Sequence, residues 1–399
     1  MDSPVRTPDP PTTAYDRLYT LLAEREADAF VHVGDRFDDL LRYLTRFSGP
    51  DRDYAFVYTE GQAALCAPRL FAQQANREFP GDRVYTVADQ SALSASSRAM
   101  EALDDLADSC SSLLVPASFP STSYRDLDVA VDTIDVLDTA AEDVGRRRKT
   151  TAERACHAAV QAAAQRGMAR AEAVLAASER DGDELQWEGS PLTTERLRRE
   201  VNAVLAADGV RDADNTVIGA GETCTDLHFT GTDGIHPDET VLLDLSPRGP
   251  HGYYGDFTRT FVAGEVDEWE STAYAAVTEA QDAALAALED GAGTVASDAH
   301  AAATEVLSEH GFASGEVDVG MYHGVGHGVG VSLHEAPSLT SDTRLEAGNV
   351  VTVEPGVYDP AHGGVRIEDL VVITEDGYEN LTEYPRELTP QSTHSRWEP

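Results

Sequence analysis

Acidic side chains stand at the ends of two apolar runs in the second half of the chain. Val241-Leu242-Leu243 leads into Asp244, and Val351-Thr352-Val353 leads into Glu354. Short β-branched runs of this kind predict strands that are buried on both faces. A buried carboxylate there must be paired, hydrogen-bonded or bound to a metal ion, because an isolated buried charge is costly. Taken singly, Asp244 is more typical of a turn, and Glu354 of a solvated surface.

Two further segments extend this acidic set. Asp256 lies twelve residues beyond Asp244 and begins a run in which polar and apolar residues alternate. Near the carboxy end, residues 365–368 predict a single strand, because their polar and apolar side chains also alternate. On this interpretation Arg366 and Glu368 lie on the same face of that strand.

Histidines are concentrated between these acidic segments. Residues 323–330 interleave His323 and His327 with four glycines, and His334 follows shortly after. Such a stretch does not make a stable helix, and its glycines let the backbone approach a bound group closely. Alone, His327 is more typical of a hydrogen-bonded structural histidine. Together, four carboxylates and one imidazole suit two divalent ions of the manganese, cobalt or zinc kind, and this set comprises Asp244, Asp256, His327, Glu354 and Glu368.

Other catalytic motifs are missing from the sequence. The glycine spacing after His323 is Gly-x-Gly-x-Gly-x-Gly, which differs from the dinucleotide-binding pattern Gly-x-Gly-x-x-Gly. Ser338 stands where a zinc-binding His-Glu-x-x-His helix that starts at His334 needs its second histidine. The sequence also has no Gly-x-Ser-x-Gly elbow and no phosphate-binding loop. The acidic and histidine set is therefore the main candidate for chemistry.

The combined motifs resemble metallopeptidase family M24, and within it the Xaa-Pro aminopeptidases and the prolidases, which are Xaa-Pro dipeptidases. The segments that carry the resemblance are Leu243-Asp244, Gly255-Asp256-Phe257-Thr258-Arg259-Thr260-Phe261, His323-Gly324-Val325-Gly326-His327-Gly328, His334-Glu335-Ala336-Pro337, Val353-Glu354-Pro355-Gly356 and Arg366-Ile367-Glu368-Asp369. The match covers roughly residues 145–390 and implies a pita-bread catalytic domain. The first half resembles the creatinase/prolidase-type amino-terminal α/β domain in its size and strand–helix alternation. The expected fold class is therefore α/β (α+β).

The resemblance implies a role for each matched residue. The five residues of the acidic and histidine set match the family's metal ligands, and Asp256 and Glu368 are expected to bridge both ions. Manganese is favoured as the metal, with cobalt and zinc as alternatives. Glu354 is expected to shuttle a proton in catalysis. His334 and His323 match histidines at the substrate pocket, and we expect them to donate to the oxyanion or the leaving group.

Three positions outside the ligand set also bear on the resemblance. His228, sixteen residues before Asp244, matches a substrate-side histidine, although a surface histidine in a loop is the alternative interpretation. Arg366 matches an arginine that helps to hold the substrate or a neighbouring acid. Ser246 departs from the family, which usually has glycine or alanine two residues after the first aspartate. Because serine is also small, we expect this departure to leave the metal site intact.

The resemblance implies hydrolysis of the bond between an amino-terminal residue and a following proline by a hydroxide that bridges the two ions. The expected partners are small peptides with proline in the second position, and the sequence leaves dipeptidase and aminopeptidase specificity open. Two alternatives stand beside this one: an M24 hydrolase of methionine aminopeptidase-like or creatinase-like specificity, and a non-enzymatic pita-bread module that binds peptides or proteins. Retention of all five ligand positions disfavours the creatinase-like and non-enzymatic alternatives.

Composition limits the partners and the compartment. The 399 residues carry 71 acidic and 30 basic side chains, a formal net charge of −41. Such a surface repels phosphate backbones and anionic lipid, so neither nucleic acid nor membrane partners are expected. In molar salt the Debye length is about 3 Å, so the repulsion between the protein's own negative charges is screened. The composition therefore favours a halophilic, cytoplasmic protein, and the alternative interpretation is an acidic surface that binds a cationic partner. Family members are often oligomers, so a homodimer is also expected.

Patterning divides the chain into three parts. Residues 1–13, with four prolines, predict a loose tail. Residues 14–145 alternate strands and helices, as in an α/β domain, and residues 146–399 form the predicted catalytic domain. Within the latter, helices are predicted near residues 151–177, 193–207, 268–288 and 294–310. The basic run of residues 146–149 is predicted to be a linker that docks on acidic groups.

Overall fold

The structure, a computed structural model, describes residues 7–86, 94–138 and 144–392. The chain divides into two compact units, one of residues 10–146 and one of residues 147–399 together with 1–9. The first six residues of the predicted tail lie outside the described residues. Residues 7–15 form neither helix nor strand, but Thr13 is buried and its hydroxyl donates to the carbonyl of Tyr43 at 2.6 Å.

The smaller unit is built on one six-stranded mixed sheet. Its strands are β1 (Ala29–Gly34), β2 (Tyr54–Thr59), β3 (Gln62–Cys66), β4 (Arg83–Tyr85), β5 (Ser112–Pro116) and β6 (Thr133–Leu137). The spatial order is β4-β3-β2-β1-β5-β6, with β1, β2 and β3 antiparallel and the remaining pairs parallel. The helices are α1 (Asp16–Arg25), α2 (Asp39–Thr45), α3 (Ala72–Glu78), α4 (Ala95–Leu106) and α5 (Ser121–Asp128). This alternation confirms the predicted α/β fold class.

The larger unit combines four long helices with short antiparallel sheets. Its helices are α6 (Thr151–Ala176), α7 (Thr194–Ala207), α8 (Glu268–Ala286) and α9 (Ala296–Glu309). Its strands are β7 (Glu179–Asp181), β8 (Glu184–Trp187), β9 (Ser190–Pro191), β10 (Thr216–Ala220), β11 (Thr240–Leu245), β12 (Thr258–Val262), β13 (His327–Gly328), β14 (Glu335–Ser338), β15 (Val350–Val353), β16 (Gly356–Asp359), β17 (Gly363–Arg366), β18 (Asp369–Ile373) and β19 (Tyr378–Asn380). The predicted helices and buried strands of this half are confirmed.

Two sheets of this unit carry the chemistry. One has the order β10-β11-β12, and the other has the order β14-β13-β15-β18-β19. Every residue of β11, β12 and β15 is buried, which fits the mainly apolar sequences of β11 and β15, whereas β12 also buries Arg259. The prediction of one strand over residues 365–368 is wrong. Strand β17 ends at Arg366, and Glu368 lies in the connection to β18, where its backbone N–H donates to the carbonyl of Thr258 at 3.1 Å.

Helix α6 packs against helix α7 and strand β11 in the larger unit. It begins with a capping box, in which Thr150 and Glu153 satisfy each other's backbone N–H groups. Gln161, on this helix, is buried. Its side-chain amide accepts from the backbone N–H of Asp256 at 2.9 Å and donates to the carbonyl of Asp256 at 2.8 Å. The helix therefore fixes the backbone that carries Asp256. Among the described residues, no helix combines the length and apolar character needed to cross a membrane.

Helix α6 also contains a buried histidine, His157, whose pKa is well below the usual value. His157 is fully buried, and its Nδ1 donates to the carbonyl of Tyr254 at 2.7 Å. Burial, reinforced by the nearby Lys149 ammonium, lowers the pKa of His157 to about 4, although Glu335 and Glu153 act in the opposite direction. The side chain is therefore neutral in the folded protein near neutral pH, whereas its pKa in the unfolded chain is about 6.5.

This difference predicts a loss of stability on mild acidification. Below pH 6.5 the unfolded chain takes up the proton and the folded chain does not, so the contribution of His157 declines as the pH falls toward 4. Between pH 7 and pH 5 the cost is about 2 kcal/mol. Urea unfolding of the metal-free wild type and of His157→Asn at both pH values measures it. Equal pH dependence in the two proteins contradicts the assignment.

Candidate metal centre

Three of the predicted acids meet in the interior of the larger unit. Asp244, Asp256 and Glu368 are buried, and each places a carboxylate oxygen within 4.8 Å of the others. Asp244 lies on β11 directly opposite Thr258 of β12. The hydroxyl of Thr258 donates to Glu368 Oε2 at 2.6 Å, so the same pair of strands also orients the third acid.

The remaining two residues of the set reach the cluster from the other sheet. Glu354 directly follows β15, and the neighbouring strand β13 carries His327. Thr352 joins the two, because its hydroxyl accepts from the backbone N–H of His327 at 3.0 Å and donates to Glu354 Oε1 at 3.1 Å. His327 Nε2 lies 3.4 Å from Glu354 Oε1 and 3.8 Å from Asp256 Oδ2. The five residues predicted as ligands are thus brought together.

The hydrogen bonding of His327 leaves one ring nitrogen directed at the acids. Its Nδ1 lies 3.1 Å from the carbonyl of Gly328, which only accepts, so Nδ1 carries the proton and Nε2 presents a lone pair. Burial lowers the pKa of His327, so the ring is neutral. A lone pair that faces two carboxylates at this distance is repulsive unless a cation lies between them.

Arg366 is held by the cluster itself. Its Nη2 donates to Asp244 Oδ2 at 2.7 Å and its Nε to the hydroxyl of Thr258 at 3.2 Å. Nη1 donates to the phenol of Tyr358 at 3.0 Å. Arg366 was expected to hold either the substrate or a neighbouring acid. In the structure it holds a neighbouring acid, Asp244. The guanidinium group supplies one positive charge to the buried acids.

His323 is occupied by protein partners on both sides of its ring. Nδ1 donates to the carbonyl of Gly324 at 2.8 Å, which leaves Nε2 to accept from the Tyr358 hydroxyl at 2.9 Å. A hydrogen-bonded chain therefore runs from His323 through Tyr358 and Arg366 to Asp244. The prediction that His323 donates to substrate does not fit this arrangement, because neither nitrogen offers a hydrogen to the cavity.

Ser246 does more than occupy little space. Its Oγ lies 2.9 Å from Asp256 Oδ1 and 3.3 Å from Asp244 Oδ1, and it is buried. The hydroxyl hydrogen therefore orients the two aspartates relative to each other. The sequence marked this position only as a departure from the family's usual glycine or alanine that was expected to leave the metal site intact.

A cavity of about 300 Å³ opens in front of the acids. His334 and His228 stand on its walls with their ring centroids 6.4 Å apart, and the centroid of His334 lies 4.2 Å from that of His327. Leu227 and Leu333 add apolar surface to the lining. All three histidines predicted at the substrate pocket, His228, His323 and His334, therefore line the cavity, and His334 lies next to His327.

The glycines of residues 324–330 serve mainly to bring protein segments together. A Cβ on Gly326 would lie 2.1 Å from the carbonyl oxygen of Thr352, and one on Gly328 would lie 2.5 Å from that of Ala336. Strands β13, β14 and β15 therefore approach as closely as they do only because these positions are glycine. The sequence predicted a close approach correctly, but its partner here is backbone.

The electrostatics of the cluster favour a bound cation. Burial, together with repulsion from Asp244 and Glu354, raises the pKa of Asp256 well above its usual value. Burial and the charges of Asp256 and Glu354 likewise raise the pKa of Glu368. Four carboxylates face one guanidinium, so the cluster is short of positive charge. Buried oxygen donors with one neutral imidazole fit divalent metal ions.

A sequence profile of metallopeptidase family M24 matches residues 149–375. The chain therefore belongs to metallopeptidase family M24, whose members hold divalent metal ions, and the predicted resemblance is confirmed. Among curated relatives, it is 37% identical to the Xaa-Pro dipeptidase of Pyrococcus furiosus over 205 residues. This alignment covers 49% of this chain and 57% of that protein. It is 33% identical over 192 residues to a probable dipeptidase, PepE, of Mycobacterium tuberculosis, 47% of this chain and 49% of that protein.

Solved structures confirm the fold over nearly the whole chain. The Xaa-Pro dipeptidase of Bacillus anthracis superposes with a TM-score of 0.80 at 24% identity, covering 94% of this chain and 98% of that one. The prolidase of Pyrococcus horikoshii gives a TM-score of 0.77 at 24% identity, covering 94% and 99%. These matches confirm the pita-bread fold of the catalytic half.

Sequence reasoning missed several residues that organise the centre. They are Gln161, Thr258, Thr352 and Tyr358, each of which hydrogen-bonds a member of the acidic and histidine set or Arg366. Thr352 carries a usable signal, because it lies two residues before Glu354 and side chains two apart along a strand share a face. Thr258 hydrogen-bonds the distant Glu368, so no neighbouring acid marks that contact. Gln161 and Tyr358 carry no signal either, since their partners are fixed only by the tertiary fold.

Replacing Ser246 by alanine tests its orienting role. We expect the affinity for Mn²⁺ to fall about tenfold, as is typical when a hydrogen bond to a metal-binding group is lost. Isothermal titration of the metal-free protein measures the change. Ser178→Ala is the control, because that hydroxyl donates to the carbonyl of Val174 on α6. Equal affinity in the Ser246 variant and the wild type shows that this hydroxyl only fills space.

Proposed function

We propose that the chain is a dinuclear metal-dependent exopeptidase that hydrolyses the bond between an amino-terminal residue and a following proline. The observation that carries the proposal is the geometry at His327, whose Nε2 lone pair faces Glu354 and Asp256 with no hydrogen between them. In a chain of family M24, this arrangement supports a metal site with all five donors retained. Retention of the complete set favours catalysis over peptide binding alone.

The donors divide between the two sides of the cluster. Asp244, held by Arg366, and the neutral His327 lie on different sheets, and Asp256 reaches both of them, with an oxygen within 4.8 Å of Asp244 and Oδ2 3.8 Å from His327 Nε2. This placement supports Asp256 as a bridging acid, and the resemblance to family M24 adds Glu368, whose carboxylate also lies within 4.8 Å. When bound, two divalent ions, for which we propose Mn²⁺, supply an activated water and polarise the scissile carbonyl.

Glu354 is the proposed proton carrier. Its Oε1 already accepts from the Thr352 hydroxyl and faces His327, so the carboxylate is held in one orientation at the edge of the cavity. From there it takes a proton from the attacking water and delivers it to the departing proline nitrogen. The nitrogen of an Xaa-Pro bond is a tertiary amide nitrogen and, like any amide nitrogen, it departs only after protonation.

His334 and His228 are the proposed substrate contacts. His334 stands beside His327, where its ring is able to donate to the oxyanion that develops at the scissile carbonyl. His228 stands across the cavity and is placed to bind a more distant carbonyl or carboxylate oxygen. His323 also lines the cavity, and its proposed role is to orient Tyr358. The apolar side chains of Leu227 and Leu333 are suited to a proline ring.

The direct test uses the metal-free protein in molar salt. After chelation, Mn²⁺, Co²⁺ or Zn²⁺ is restored, and hydrolysis of Gly-Pro and Arg-Pro-Pro is followed beside that of Gly-Ala and Arg-Ala-Pro. We expect hydrolysis only after metal is restored and only where proline is in the second position. Relative rates on Gly-Pro and Arg-Pro-Pro then assign dipeptidase or aminopeptidase specificity.

The alternatives give different outcomes in the same assay. Equal hydrolysis of Gly-Ala and Gly-Pro indicates a broader M24 peptidase. Metal uptake without hydrolysis of any peptide indicates a binding module. Hydrolysis that persists in excess chelator contradicts a metal mechanism.

Removing a donor is expected to abolish turnover without unfolding the chain. His327→Ala and Asp256→Ala each lose at least about a thousandfold in kcat/KM, equivalent to about 4 kcal/mol of the activation barrier. Circular dichroism checks the fold, and metal analysis checks occupancy. His310→Ala is the matched control, because His310 pairs with Glu279 on the surface. Full activity in either donor variant rejects the assignment.

A further inference from the structure

The single lysine of the chain lies in a buried ion pair. The other 29 basic side chains are arginine, and Lys149 ends the basic run of residues 146–149. Its side chain is 2% exposed, and Nζ lies 2.6 Å from Glu335 Oε1, whose side chain is 9% exposed. The neighbouring Arg148 behaves differently, since it is 62% exposed and pairs with Glu346 at 3.5 Å on the surface. The basic run therefore contains one buried cation.

The backbone of Lys149 is joined to the loop that precedes a predicted ligand. Its N–H donates to the carbonyl of Gly348 at 2.8 Å, and the side chain of Asn349 donates to the carbonyl of Arg147 at 3.1 Å. Gly348 has φ +94°, and a Cβ there would lie 2.9 Å from the carbonyl oxygen of Lys149. The next residues form β15, which ends just before Glu354. Lys149 is thus fixed relative to one side of the metal centre.

The carboxylate of Glu335 contacts the segment of the metal centre that carries His327 and His334. It follows His334 directly in the chain, and a Cβ on Gly330 would lie 2.2 Å from its Oε1. The Glu335 side chain therefore packs directly on the segment that begins with His327. Residues 330–334 form a bend in which Gly330 and Val331 also hydrogen-bond to neighbouring residues, and the contact of Glu335 adds a side-chain restraint directly beside His334.

We propose that Lys149 is a positioning residue of the metal centre: its ammonium group holds the Glu335 carboxylate in place and thereby fixes the bend that presents His334 to the cavity. The inference deepens the proposed peptidase function and rests on it for the role of His334. A displacement of about 1 Å at a catalytic group is enough to cost a hundredfold in rate.

The physical setting explains why lysine stands here. A buried pair is screened by salt far less than a surface pair, so it keeps its strength in the molar salt that the composition indicates. The ammonium is a compact point charge, and a planar guanidinium needs more room and a wider set of acceptors. Nζ has the Glu335 carboxylate and, at 3.3 Å, the carbonyl of Arg147 as acceptors.

A double-mutant cycle tests the proposal. The variants are Lys149→Met, Glu335→Gln and the double variant, each compared with wild type for kcat and KM on an Xaa-Pro substrate with Mn²⁺. We expect kcat to fall at least tenfold in Lys149→Met, with the metal stoichiometry unchanged. The double variant recovers part of this loss, because it no longer buries a carboxylate opposite an apolar side chain. If Lys149→Met fails to fold, Glu335→Gln alone carries the comparison.

Two controls separate positioning from general stability. Arg148→Met removes the neighbouring surface cation and is expected to change neither kcat nor the unfolding temperature. Arg166 on α6 forms a partly buried ion pair with Asp208. Arg166→Met removes this pair and is expected to lower the unfolding temperature without changing kcat. If Lys149→Met behaves like Arg166→Met, with full kcat per folded molecule, Lys149 is merely structural and the proposal is wrong.

A readout without catalysis distinguishes failure of this inference from failure of the proposed function. Hydrogen–deuterium exchange of the metal-free protein is expected to rise over residues 327–338 in Lys149→Met and Glu335→Gln, and to stay unchanged in Arg148→Met. Amine acylation adds a residue-specific probe, because Lys149 is the only lysine: it stays unlabelled in wild type and reacts in Glu335→Gln. Unchanged exchange in both variants overturns the proposal, even if the wild type is an active peptidase.

Discussion

Repulsion between buried carboxylates is the constraint on which the larger unit depends. Asp244, Asp256 and Glu368 lie together in the interior, and a fold tolerates this only when other groups supply hydrogens and positive charge. The protein supplies them from many directions. Arg366 donates to Asp244, hydroxyl groups donate to the other acids, and the amide of Gln161 clamps the backbone beside them. The remaining deficit of positive charge is what a pair of divalent ions is suited to fill.

The sequence predicted the acids well because local physics marks them. An apolar run followed by a carboxylate marks a candidate buried acid, and Asp244 and Glu354 both fit that pattern, although each taken singly is more typical of a turn or a surface. Histidines between glycines likewise pointed to a tight connection and away from a helix. Each signal lies within a short segment, and the order of these segments along the chain, with its resemblance to family M24, identified the set.

The sequence failed where the decisive contact is distant along the chain. Arg366 and Glu368 alternate as a strand would, yet the strand ends between them because Glu368 bonds instead to Thr258, 110 residues earlier. His323 looked like a free donor until Tyr358 was seen on its second nitrogen. The partner of Lys149 is 186 residues away, and the prediction that residues 146–149 dock on acidic groups did not indicate which acid that is.

The spread of the donors along the chain has a consequence for synthesis. Asp244 and Asp256 leave the ribosome more than a hundred residues before Arg366 and Glu368, and the two groups meet only when β12 contacts the connection before β18. Until then the early acids lack both the guanidinium and the last carboxylate. A nascent or truncated chain therefore holds an incomplete cluster, and the full set of donors cannot assemble before residue 368 has been made.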